Sequence, residues 1–113
     1  MSMAIEVLQY ARTLLERPDG WTQGVGARDA SGEPVSPYDP RACRFCLFGA
    51  LERAGKVVGD RDALHAAYAL VCAVLGFRFP SESLFLIDWN DIPGRSQRDI
   101  LELLDRAIAR ARS

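Results

Sequence analysis

The chain has no apolar run approaching the roughly 18 residues that a membrane-spanning helix requires. Its first residues lack a basic stretch followed by an apolar core and a small-residue cleavage site, so no secretory signal is expected. Histidine occurs once, at position 65, and cysteine three times, at 43, 46 and 72. An odd number of cysteines without a signal points to reduced thiols and a cytoplasmic protein rather than a disulfide framework. Lysine also occurs once, against thirteen arginines. With many alanines beside it, that bias reads as the composition of a GC-rich genome, not as selection for phosphate binding. A net charge of −1 gives the chain as a whole no attraction for a polyanion. Repeats, low-complexity tracts and interdomain linkers are absent as well. The 113 residues are expected to form one domain, large enough to bury a core without disulfides or metals.

What is present is mostly helical periodicity. Over residues 3–17, Ala4, Val7, Leu8, Ala11, Leu14 and Leu15 share one face, and Pro18 ends the helix. Residues 21–38 are polar and Gly-rich. There Asp29 and Gly32 occupy the first and fourth positions of a type I turn, predicting a small hairpin between residues 26–28 and 33–35 with Pro34 on an edge. Asp39 and Pro40 read as the cap and first residue of a helix over 40–54, stopped by Gly55. Asp60 caps a third helix over 61–75, stopped by Gly76. Both helices are apolar on most sides and are expected at the centre. Phe77, Phe79, Leu84, Phe85, Leu86, Ile87 and Trp89 require burial, and a short helix over 83–88, capped by Ser83, accommodates most of them. Ser96 with Asp99 forms a variant capping box for the last helix, whose stripe is Ile100, Leu101, Leu104, Ala107, Ile108 and Ala111. The expected fold is mainly all-α: a four-helix domain with a small β-hairpin or loop excursion after the first helix.

Three segments stand out in order: Trp21-Thr22-Gln23-Gly24, Cys46-Leu47-Phe48-Gly49-Ala50, and Trp89-Asn90-Asp91 ahead of Pro93-Gly94-Arg95. Together they resemble a family of small bacterial and phage proteins of unknown function with W-x-Q-G, C-x-x-G-A and W-N-D motifs. The resemblance spans nearly the whole chain. It implies a bacterial or phage origin and no particular chemistry. Cys43, His65 and Cys72 lie outside the motifs.

Several residue sets carry chemistry in principle. Cys43 and Cys46 form a C-x-x-C, but the expected helix start at Pro40 places both too deep for the helix dipole to activate a thiol. Cys43, Cys46, His65 and Cys72 could bind a structural zinc. Yet His65 and Cys72 stand seven residues apart on one helix, roughly 10.5 Å of rise, for bonds of about 2.0–2.3 Å. Cys46 could act as a nucleophile with His65 as base and Asn90 or Asp91 orienting it. A cysteine within an apolar helix would be hard for substrate to reach. Arg41, Arg44, Arg53 and Lys56, with Arg95 and Arg98, read as solvated basic faces; nucleic acid is not an expected partner. Trp21, Gln23, Trp89, Asn90 and Asp91 offer ring faces, amides and a carboxylate near two turns, and are the candidate binding residues. The alternative for them is a core and turn role. With no complete catalytic set, the residues point to a non-enzymatic binding or interaction module whose partner is an unidentified protein or small ligand. No cofactor or membrane is implied.

Overall fold

The computed structural model describes residues 3–77 and 82–113. Helix α1, Met3–Glu16, turns its predicted stripe inward: Ala4, Val7, Leu8, Ala11, Leu14 and Leu15 are all buried. It packs against helices α2 (Leu47–Val58), α3 (Arg61–Val74) and α5 (Gln97–Arg112), so the first helix, not only the second and third, lies at the centre. A short helix α4 (Glu82–Asn90) leans on α2 and α3. The described residues thus hold five helices where the sequence suggested a four-helix domain; the short segment expected over 83–88 is a full helix. The expected burial of Phe79 lies outside the described residues.

Cap chemistry behaves as its residues dictate. Asp60 accepts from the Ala63 amide at 3.0 Å, and Ser96 and Asp99 form a reciprocal box at the start of α5. Gly76 adopts φ +80° beyond α3. On α3, Leu64, Ala67, Tyr68, Val71 and Cys72 face the core while the small Ala66 and Ala69 face solvent, so its long apolar run is not buried on all sides.

The start of α2 differs from expectation. Residues 40–46 are not helical. Asp39 caps only one isolated turn, with its carboxylate accepting from the Arg41 amide at 2.8 Å and its carbonyl from Ala42 at 3.0 Å. The chain then runs extended as β3 (Arg44–Phe45), pairing antiparallel with β1 (Ala27–Arg28), which also pairs with β2 (Pro34–Val35). The order β2-β1-β3 puts Pro34 on an edge, where its missing N–H costs no ladder bond. Trp21 bridges the far side of β3, with Phe45 donating to the Gly20 carbonyl at 2.8 Å. The predicted hairpin is therefore present, with a third strand that the sequence did not announce. α2 also outruns Gly55. The helix closes at Gly59, φ +77°, while Gly55 sits inside it because a Cβ there would meet Leu64 at 2.9 Å.

Candidate functional site

The three segments singled out in the sequence meet at the N-terminal end of α2. Asn90, the last residue of α4, is 0% exposed, and it is the one buried polar residue among those described. Its Oδ1 accepts from Trp21 Nε1 at 2.7 Å and from the Leu47 amide at 3.0 Å. Its Nδ2 donates to the Thr22 carbonyl at 3.1 Å and to Asp91 Oδ1 at 2.9 Å. All four bonding positions of the amide are filled, as burial demands. Gln23 reinforces the junction by donating to the carbonyls of Asn90 at 2.9 Å and Ile92 at 3.2 Å. Asp91 Oδ1 also accepts from the Gly24 amide at 3.0 Å. Of the predicted binding residues, Trp21, Gln23, Asn90 and Asp91 thus form one hydrogen-bonded clasp. Trp89 lies apart from it: its ring packs beneath the Arg95 guanidinium, 3.8 Å from the ring centre, and borders a separate depression with Asp99 and Glu102 on α5.

Cys46 occupies a different position from the one its sequence suggested. It is the N-cap of α2, not a mid-helix residue, and its Sγ accepts from the Gly49 amide at 3.2 Å. Asn90 and Cys46 together satisfy first-turn amides that would otherwise be left unpaired. At 3% exposure, burial pushes the Cys46 thiol above its ordinary range, and the Asp91 charge pushes the same way against the helical amides. That direction is opposite to the one a nucleophilic cysteine needs. His65, proposed as its base, stands exposed on α3 with its ring centre 6.4 Å from that of Tyr68. Nor do the zinc candidates assemble: among the described residues no three His, Cys, Asp or Glu side chains group as a metal site. Cys43 is half-buried ahead of α2, and Cys72 lies in the core with its thiol raised to about 11, chiefly by burial.

Beside the clasp is a cleft of about 400 Å³. One wall is the loop segment Gly24, Val25 and Gly26; Pro37 forms another; Cys46 and Phe48 line it from the start of α2, and Ile87 and Asp91 from α4 and the residue after it. Its walls are mainly apolar, and among the described residues Asp91 is the only carboxylate in the lining. The close approach that shapes it depends on Gly49. A Cβ there would lie 2.0 Å from the Gly26 carbonyl oxygen, which accepts from the Cys46 amide at 3.0 Å. Val25, Gly26 and Pro37 lie in the polar, Gly-rich 21–38 excursion, a contact surface that the sequence suggests as a segment without marking these residues singly, and Phe48 lies within the C-x-x-G-A motif. Ile87 carries no local signal beyond its need for burial.

A second node holds the Pro37 wall. Arg53 donates to the carbonyls of Pro37 at 2.5 Å and Asp39 at 3.0 Å. Tyr38 and Tyr68 both donate their hydroxyls to the Glu52 carboxylate. Arg53, expected on a solvated basic face, is therefore turned inward, and Arg41 pairs with Asp39 at 2.9 Å. Arg28 likewise binds Thr22 Oγ1 at 2.8 Å and the carbonyls of Gly32 and Gln23.

Comparison with known proteins places this chain in a family. A family described as "Family of unknown function (DUF6197)" has a model that matches residues 1–110. No curated protein and no solved structure matches the chain. No helix among the described residues is long and apolar enough to cross a membrane.

Proposed function

The chain belongs to this family of unknown function, and we propose that it is a non-enzymatic binding module that seats a small, mainly apolar ligand in the cleft beside Asn90. The observation that carries this reading is convergence. Segments from the Trp21 loop, the start of α2 and the end of α4 meet at one cleft of about 400 Å³, and a fully buried hydrogen-bond hub fixes their relative positions. That volume falls within the range of small-molecule sites, which are concave, largely apolar and supplied with few polar groups. Burial raises the thiol lining it, and among the described residues no hydrogen bond joins that thiol to Asp91 or His65, so binding rather than covalent chemistry is the use the walls favour. Three free thiols suit the reducing cytoplasm of a bacterium or phage-infected cell.

The test is a titration of the 15N-labelled protein with a panel of small apolar fragments. Saturable shifts should concentrate at the amides of Val25, Gly26, Phe48 and Ile87. Val25→Trp, placed on the loop wall, should fill the cleft and remove those shifts while leaving the thermal midpoint within a few degrees. Shifts that scatter over the surface, or that survive Val25→Trp, would refute the site.

A further inference from the structure

We infer that the ligand of this cleft carries a cationic amine that pairs with Asp91; the inference rests on the cleft being the binding site. Asp91 Oδ1 is already occupied, accepting from the Gly24 amide at 3.0 Å and from Asn90 Nδ2 at 2.9 Å. Those two bonds fix the plane and position of the carboxyl group. Oδ2 has no hydrogen-bond partner among the described residues, and Asp91 forms no ion pair among them. Arg28, whose guanidinium lies beside Gly24, directs its donors to Thr22, Gly32 and Gln23 instead.

The remaining walls, from Val25, Pro37, Phe48 and Ile87, offer no counter-charge, and the neighbouring Cys46 is a neutral thiol. A carboxylate beside apolar walls loses hydration and is stabilised most by an ion that brings its own positive charge and N–H donors. The attraction is stronger there than in open water because the local dielectric is lower. A neutral ligand of the same shape gains only the apolar contacts, and an anionic one meets repulsion. The site therefore selects a primary or secondary ammonium group on a compact apolar body, with the body against Phe48 and Ile87 and the nitrogen at Asp91 Oδ2.

Three probes of one shape decide the matter: 2-phenylethylamine, 2-phenylethanol and phenylacetate, titrated at pH 7 and low salt into the full chain and into Asp91→Asn. The amide variant retains an Oδ1 acceptor for Gly24 and Asn90, removes the charge and replaces the Oδ2 acceptor by an NH2 donor. The wild-type protein should bind the amine about tenfold more tightly than the alcohol, the scale of one charge-assisted bond. Phenylacetate should bind weakest. The amine's advantage should shrink as salt is raised and vanish in Asp91→Asn. Should that variant fail to fold, the salt dependence of the amine-to-alcohol ratio in the wild-type protein still decides. Equal binding of amine and alcohol at the cleft amides would overturn the amine assignment and leave the cleft standing. Absence of shifts from all three probes would overturn both.

Discussion

The four-helix packing of α1, α2, α3 and α5 and the clasp around Asn90 are ordered by different physics. In the packing, Leu8, Leu15, Leu51, Ile100 and Leu104 are fully buried, and each apolar contact is one of many, so the loss of one is shared. In the clasp, a single amide joins Trp21, Thr22, Leu47 and Asp91, so the loss of one side chain strands partners on three segments at once. A greasy core sets where helices lie; a saturated polar hub sets how loops sit between them. The cleft belongs to the second kind of order, and it should be perturbable without unfolding the first.

The largest effect is expected at Asn90. Asn90→Leu preserves bulk but leaves the Trp21 Nε1, the Leu47 amide and the Thr22 carbonyl without their partner, at about 1–3 kcal/mol for each buried group that finds no water. The expected loss is about 4 kcal/mol by urea unfolding. Leu104→Ala should cost about 3 kcal/mol, within the usual range for such truncations. Its effect should spread through α1, α3 and α5 and leave the cleft shifts intact. Equal disturbance of the cleft by both variants would erase the distinction.

Gly49→Ala tests the same contrast at the backbone. The added Cβ would stand 2.0 Å from the Gly26 carbonyl, so that loop must move. We expect a loss of about 2–3 kcal/mol, typical of overpacking, with shift changes confined to residues 20–28 and 45–50. Gly55 faces the Leu64 side chain instead, and Gly55→Ala should disturb the contact of α2 with α3 while sparing the loop.

Smaller effects should appear with pH. Tyr38 is raised above its ordinary value of 10.0 chiefly by its bond to Glu52, and Tyr68 chiefly by burial and then by the same carboxylate. The folded chain therefore holds these protons more tightly than the unfolded chain. Their contribution is complete below about pH 10 and is lost as pH climbs through the higher folded values. Asp29 and Asp39 have the opposite sign: both are lowered, Asp39 to about 2, first by hydrogen bonds from Ser31 and Arg41 respectively. Their support is present above about pH 4 and lost as pH falls through the folded values. Acid should loosen the hairpin turn, and alkali the Tyr–Glu node behind Pro37, each before α1 and α5 respond. Amide shifts followed across pH 2–12 would show this order.

How much of this was legible follows from the range of each interaction. Pro18, Asp60, Gly76, Ser96 and Asp99 act on neighbours within a few residues, so the limits they set could be read directly. Asp39 and Pro40 misled because an Asp-Pro pair begins a lone turn as readily as a helix. What decides is the pairing of Arg44 and Phe45 with Ala27, Arg28 and Trp21, far away in sequence. Cysteine is an uncommon cap, so nothing local marked Cys46 as the start of α2. Gly55 resembled a stop, yet its lack of a side chain serves contact with Leu64. The candidate residues around Asn90 were identifiable by type, but only tertiary structure separates Asn90, saturated and buried, from Asp91, which keeps one oxygen without a partner.

Asn90 organises the cleft region independently of the helical core. Amide hydrogen exchange on wild-type protein and Asn90→Leu tests it most directly. Protection should fall at Gly24, Cys46, Leu47 and Gly49 while the amides of α1 and α5 keep theirs relative to global unfolding. A uniform fall across all helices, or unchanged protection at Leu47, would contradict it.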